Sequence, residues 1–209
     1  MILEKVIIIC SSIALIQSFY KEYNRNYDSD DYKPLRDDKS PIKKLMFWFS
    51  QCTYQINLII LFAYIAKYFE NEKKYNLLLK IGFANLCTVV ILYWFLLSKN
   101  TSWQEQLNYY NMYLHLFVLP LCMYDVFQNQ KLQFSMKDLK FTSSYFLIAT
   151  LFNIINYKIR KVWTYGLFKF VNPFKDYTGY IYFFITILTS IISHILFGKL
   201  KTIKTIRAF

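Results

Sequence analysis

The sequence predicts an all-α membrane protein, a single bundle of six transmembrane helices that takes up all of residues 1–209. Three observations carry that expectation. The side chains are 56% hydrophobic and 21% aromatic, only 18% are charged, and the mean hydropathy is +0.23, whereas a soluble domain carries about 25% charged residues. Asp, Glu, Lys and Arg gather in short clusters between long uncharged runs, and a hydrocarbon core of ~30 Å demands such runs, roughly 20 residues each when helical. The runs also lack the period-two alternation of a membrane barrel strand and are too long to be one. The same composition excludes a disordered chain, a collagen-like fibre and a disulfide scaffold.

The predicted spans are 2–20, 45–66, 79–98, 106–125, 141–157 and 177–198. The first reaches spanning length only if Glu4 and Lys5 extend their side chains to the headgroup level. A cleaved secretory signal is the competing reading of that run, but Glu4 interrupts the basic leader such a signal needs, and no small-residue cleavage site follows. Residues 21–44 mix acidic and basic charges and read as a solvated loop. The next four spans follow in turn, each bounded by charges.

Between the fifth and sixth spans, KVWTYGLFKF (161–170) sets Trp163 and Tyr165 among lysines, as in segments that anchor a helix end at the headgroups. This predicts a short amphipathic piece on the membrane surface, and in a sharper version a lid whose Trp163 and Tyr165 touch substrate. An even number of spans places both termini on one side. Lys and Arg divide almost equally between the two sides, so the positive-inside bias does not orient the chain. The tail KLKTIKTIRAF, with four basic residues and no acid, leans toward the cytoplasmic face and its anionic lipid.

The formal net charge of +12 hugs the span ends and reads as attraction to a membrane surface. It forms no concentrated basic face of the kind that nucleic acid requires. Membrane lipids are therefore the expected partners, and nothing in the sequence specifies a protein partner. Cys10, Cys52, Cys87 and Cys122 all fall inside spans and read as small apolar packing. CxxC, HExxH, GxxxxGK and GxSxG are all absent, so no metal or cofactor is expected. The transporter kind of internal repeat is also missing.

Chemistry concentrates in the fourth span. His115 falls at the middle of 106–125, near the bilayer midplane, where an ionisable side chain is a functional hypothesis by default. Asn111 lies one turn earlier on the same face, able to orient the ring or line a polar cavity. Pro120 should free the Leu116 carbonyl and kink the helix beside the histidine. The bland alternative is a neutral histidine bonded to another helix. His194, near the end of the last span, reads as interfacial. Asp125 is ten residues past His115, ~15 Å along a helix, too far to orient its ring.

A histidine in lipid without metal partners suggests acid/base work on a hydroxyl nucleophile. Depth selects among the hydroxyls. Counted from the mouths of spans two and four, Thr53 and His115 differ by ~1.5 Å in depth, and Ser50 by ~6 Å. Thr53 is the favoured partner, Ser50 the second choice, and Thr88 and Thr150 are weaker candidates. A hydroxyl bonded back to its own helix is the competing reading for each.

With those residues in place, NMYLHLFVLPLCMYD (111–125) resembles the N-x-x-x-H-x-x-V-L-P motif, followed by an acid, that marks the androgen-induced gene product family of six-span membrane proteins. WTY at 163–165 is similar to that family's G-x-W-x-Y-P, and KKLMFWFSQCTYQ (43–55) resembles the basic, aromatic mouth of its second span. The resemblance covers most of the chain in order and spacing. It implies an intramembrane hydrolase in which a threonine nucleophile and a histidine, here His115, cleave fatty acid esters of hydroxy fatty acids in an endomembrane such as the endoplasmic reticulum. The family's threonine position falls on Met46 or Phe47, while Lys161 replaces the second motif's glycine and Gly166 its proline. Either the nucleophile has moved to Ser50 or Thr53, or the chain is a non-catalytic lipid-binding or regulatory protein on the same scaffold.

Overall fold

The structure is a computed structural model that describes residues 2–24, 40–98, 102–129, 131–164 and 177–207, with side chains to Thr202. Residues 25–39 of the long charged loop lie outside the described residues. Among the described residues all regular structure is helical. In chain order it consists of α1 (Ile2–Asn24), α2 (Pro41–Phe49), α3 (Cys52–Tyr68), α4 (Glu72–Leu92), a π-helical turn (Tyr93–Leu97), α5 (Trp103–Gln106), α6 (Tyr109–Met112), a second π turn (Tyr113–Phe117), α7 (Val118–Gln128), a 3₁₀ turn (Met136–Asp138), α8 (Leu139–Arg160) and α9 (Thr178–Arg207).

Polar contacts at the two ends of the bundle show successive helices running in opposite directions. At one end Lys67, closing α3, meets Asp125 near the end of α7 at 2.5 Å and Glu4 at the start of α1 at 3.2 Å. Tyr75 in the first turns of α4 donates to the same Asp125, and Lys201 late in α9 reaches the Val126 carbonyl at 2.9 Å. At the other end Lys21 of α1 reaches Glu105 of α5 at 2.8 Å, and Trp48 of α2 donates to Ser18 at 3.0 Å. Each long helix therefore carries its charges to its ends and leaves apolar length between them.

α1, the helix Glu72–Leu97 made by α4 with its π turn, and α9 over Thr178–Thr202 are each long and apolar enough to cross a membrane, and the α2–α3 pair qualifies as a fourth if counted as one bent span. On length and composition the expected six spans thus become three or four. Segment 109–128 and α8 fall short because Asn111, His115 and Asp125 interrupt the first, and Asn153, Asn156 and Arg160 the second. All six of these polar side chains are buried in the bundle, so they lower hydropathy without facing lipid. Helices also overrun the predicted spans, α4 beginning at Glu72 and α1 continuing to Asn24. Charges mark the headgroup level and do not end a helix.

The second span is not one straight helix. It breaks at Ser50 and Gln51 and turns by 77°. Ser50 donates its hydroxyl to the Phe47 carbonyl at 2.7 Å, a local bond that competes with helix continuation, and Gln51 is extended (φ −79°, ψ 122°) as it opens α3.

α1, α3 and α4 form the centre of the core, with Ile7, Ala14, Ile56, Ile60, Ala63, Leu79, Phe83 and Leu86 buried between them. Gly82 sets the closeness of α3 and α4, since a Cβ there would meet Ile60 Cδ1 at 2.8 Å. The outward faces carry exposed Ile9, Ile16, Phe95, Ile148, Phe184 and Leu188. Helices apolar on the outside as well as the inside are those of a membrane protein.

Candidate functional site

His115 lies in the π turn Tyr113–Phe117, where the amide of Val118 bonds the Tyr113 carbonyl five residues back. Pro120 follows in the next turn. A proline lacks an amide and crowds the carbonyl one turn earlier, and the wide turn ahead of it absorbs that crowding. The carbonyl supplied from outside is that of His115, one residue before the Leu116 carbonyl expected from the sequence. It accepts the indole N–H of Trp94 at 2.9 Å.

Trp94 belongs to the other π turn, Tyr93–Leu97. Its neighbour Tyr93 lies flat on the imidazole, with ring centroids 3.6 Å apart and planes at 11°. The two π turns among the described residues therefore meet at this histidine. His115 is 5% exposed, and its Nδ1 is buried with no hydrogen-bond partner among the described residues. Sequence reasoning missed Tyr93 and Trp94. The signal available for them was two polar-tipped aromatics inside an apolar run, which seek partners when buried.

Thr53 sits in the first turn of α3 and is buried. Its carbonyl accepts Asn57 Nδ2 at 2.9 Å, and the same amide reaches the carbonyl of Leu114, next to His115, at 3.5 Å. The α3 face that bears Thr53 and Asn57 thus meets the histidine's turn, and Asn57, which the sequence reading passed over, is the link. Asn57 Oδ1 is buried without a hydrogen-bond partner among the described residues. No described hydroxyl is hydrogen-bonded to the His115 imidazole.

Ser50 is committed elsewhere. Besides the Phe47 carbonyl, its hydroxyl meets Thr164 Oγ1 at 2.6 Å and accepts from Arg160 Nη2 at 3.2 Å. The Arg160 guanidinium also bonds Thr164 Oγ1 at 3.3 Å and lies 4.9 Å from the Phe47 ring centroid. The break between α2 and α3 turns Ser50 toward the end of α8, and a hydroxyl held there is a structural joint.

Asn111 does not orient the imidazole. Its Nδ2 donates to the Glu105 carbonyl at 2.7 Å, which at the break at Leu107 and Asn108 otherwise has only a long turn bond from the Asn108 amide at 3.4 Å. Trp163 stacks back on Tyr157 of the preceding α8, 4.2 Å between centroids and 9° between planes. Tyr165 lies outside the described residues. Within 161–164, Val162 and Thr164 are buried while Lys161 is exposed, and the chain leaves α8 through Lys161 at φ 62°, ψ 19°. That left-handed conformation favours glycine, the residue that the resembled motif has at this position.

His194 is buried within the bundle, beside the loop that joins α7 to α8. It is 1% exposed, its Nε2 donates to the Ser135 carbonyl at 2.9 Å, and its Nδ1 lies 3.0 Å from Thr142 Oγ1. A carbonyl only accepts, so Nε2 carries a proton, while the Thr142 hydroxyl lies between His194 Nδ1 and the Lys80 carbonyl at 3.4 Å. Asp125 borders a separate cleft of about 790 Å³ at the α1 N-terminal end of the bundle, shared with Glu4, Lys67, Glu70, Glu72 and Tyr75. Among the described residues no three His, Cys, Asp or Glu side chains are gathered as metal ligands.

No family model, no curated protein and no solved structure matches the chain.

Proposed function

We propose that the chain is a six-span intramembrane lipid-ester hydrolase with His115 as general base and Thr53 as nucleophile. The observation that carries this reading is a buried histidine whose Nδ1 bonds nothing among the described residues, next to a turn that Asn57 ties to α3, the helix that carries Thr53 one turn earlier. Segment 109–128 and α8 are read as crossings too, their polar side chains turned into the bundle, where intramembrane polar groups belong. Met46 and Phe47 at the motif's threonine position leave Thr53 as the hydroxyl for the dyad, because Ser50 is held by Arg160, Thr164 and Phe47.

The chemistry is acyl transfer. His115 takes the Thr53 hydroxyl proton as Oγ attacks the ester carbonyl. The tetrahedral intermediate collapses, the alcohol half leaves with the proton from His115, and the acyl group stays on Thr53. Water, deprotonated by His115, then attacks that ester, releases the fatty acid and restores the threonine. The motif resemblance points to fatty acid esters of hydroxy fatty acids as substrates, reached sideways from the bilayer, and to an endomembrane such as the endoplasmic reticulum.

One observation favours a second reading, a non-catalytic lipid-binding or regulatory protein: no described hydroxyl is hydrogen-bonded to His115. Labelling of membranes with a lipophilic fluorophosphonate, which reports an activated hydroxyl, tests both. Labelling is expected for the native chain and for Ser50→Ala, and its loss for His115→Ala and Thr53→Ala. Undiminished labelling of His115→Ala would overturn the mechanism, and a folded native chain that takes no label would favour the lipid-binding reading.

A further inference from the structure

A buried imidazole is ordinarily held through its nitrogens, as His194 is. His115 is held by its face and by its backbone. Tyr93 covers the ring at 3.6 Å and 11°, while Trp94 fixes the carbonyl of the same residue at 2.9 Å. Neither contact uses a ring nitrogen.

Both contacts come from consecutive residues, and that is what the π turn supplies. In an α-helix of 3.6 residues per turn, neighbouring side chains diverge by about 100°, which sends them to different partners. The wider turn at Tyr93–Leu97 reduces that divergence, so that one residue reaches the ring and the next reaches the backbone behind it. The turn at Tyr113–Phe117 presents His115 to them. Single π turns of this kind recur at functional sites. A face-on aromatic restrains the imidazole plane, and a restrained plane fixes the direction of its nitrogens, which is the requirement for proton transfer from a positioned hydroxyl.

We propose that the two facing π turns are a holder for His115 in which Tyr93 and Trp94 are positioning residues, fixing the plane of the imidazole while leaving its nitrogens available for proton transfer. The role in catalysis rests on the hydrolase reading given above, whereas the holding of the ring stands independently of it.

The test uses the full chain in lipid nanodiscs with isotope-labelled histidine. The protein has two imidazoles, and that of His194, satisfied by Ser135 and Thr142, reports folding. A ring lying against Tyr93 shows a ring-current shift in its carbon-bound protons. Tyr93→Leu is expected to abolish that shift, to leave the His194 signals in place, and to lower fluorophosphonate labelling about 100-fold, the scale of a misplaced catalytic group. Tyr93→Phe keeps the ring and is expected to rescue the shift and most of the labelling. Trp94→Phe loses one hydrogen bond, and labelling is expected to fall about tenfold.

A shift that survives in folded Tyr93→Leu would overturn the holder, whatever the labelling. Full labelling of Tyr93→Leu would overturn the positioning role while leaving the hydrolase reading intact. A native chain that shows the shift but takes no label would sink the hydrolase reading and leave the held ring established. Loss of labelling in Tyr93→Phe with the shift retained would transfer the role from the ring to the phenol and overturn the assignment as stated.

Discussion

His115 and His194 are almost equally hidden, at 5% and 1% exposure, and both lie in apolar helices of the same bundle. Their surroundings differ in kind. His194 has a carbonyl on one nitrogen and a threonine hydroxyl on the other, so each side of the ring is matched to a group of fixed position. His115 has an aromatic ring on its face and an indole on its carbonyl, while Nδ1 has no partner among the described residues. Burial therefore does not separate a histidine that holds the fold from one available for chemistry, but the inventory of its nitrogens does. The Thr142–His194 contact has the composition of a nucleophile–base pair, yet both residues are closed off by α4, α8 and α9, with Asn85, Ser190 and Ser135 completing the polar cluster.

The largest expected effect breaks the comparison at His115. General acid–base catalysis contributes about 10²–10⁴-fold, so His115→Ala should lower lipid-ester hydrolysis by that range, with a stability loss confined to its lost packing against Tyr93. The corresponding change at His194 should invert this pattern. His194→Ala takes one of two donors from the Ser135 carbonyl, which keeps the Asp138 amide at 3.0 Å, leaves the Thr142 hydroxyl only the Lys80 carbonyl at 3.4 Å, and opens a cavity in a closed site, a cost of about 2 kcal/mol. A fall in melting temperature, with normal labelling of the protein that remains folded, would separate the two histidines. Equal destabilisation by both alanines would erase the distinction.

A smaller effect concerns the loop that presents the Ser135 carbonyl to His194. Asp138 accepts the Ser135 amide at 3.0 Å, the Ser135 hydroxyl at 2.7 Å and the Lys80 ammonium at 2.9 Å. Burial raises its proton affinity, but the Ser135 bonds and Lys80 outweigh burial and hold the carboxyl below the usual carboxylate range. Because the folded state binds this proton more weakly than the unfolded one, the contribution to stability is complete above about pH 3.9 and is lost as pH falls from there through the lower folded value. Asp138→Asn should cost ~1 kcal/mol at neutral pH, the scale of a capping bond, and should flatten the acid limb of the melting-temperature profile. An acid limb unchanged in Asp138→Asn would remove this carboxylate from the account.

The smallest effect is at Lys161. A side chain in the left-handed region costs roughly 1–2 kcal/mol, so Lys161→Gly at φ 62° should raise stability by ~1 kcal/mol without changing labelling. A lowered melting temperature would mean that Lys161 makes contacts that offset its strain.

Much of the fold was legible in the residues. Uncharged runs between charge clusters located every long helix, because hydropathy is a sum over neighbours along the chain and needs no knowledge of packing. His115 was legible for the same reason, as an ionisable residue in the middle of a run. The break at Ser50 and Gln51 was not, since neither glycine nor proline marks it and the bend depends on a serine bond that competes with the helix. Asn111 was misread because its partner is decided by a helix break at 107–108. The burial of Arg160 at the end of α8 followed from packing against α2 and not from its sequence neighbours. The motif similarity of 111–125 rests on those residues alone and predicted neither π turn.

By itself the sequence determined that the described chain is helical, with several helices apolar enough to cross a membrane, roughly where those helices lie, and that His115 stands midway along an uncharged run. Only the tertiary structure decided that Tyr93 and Trp94 grip that histidine, that Asn57 ties α3 to its turn while Ser50 is spent on Arg160, and that His194 belongs to the framework. The physical reason is that hydropathy fixes position along a helix axis, whereas hydrogen bonds and ring contacts depend on the rotation of each helix about that axis. In this protein that rotation is set by close packing, such as that of Gly82 against Ile60, between residues distant in the chain.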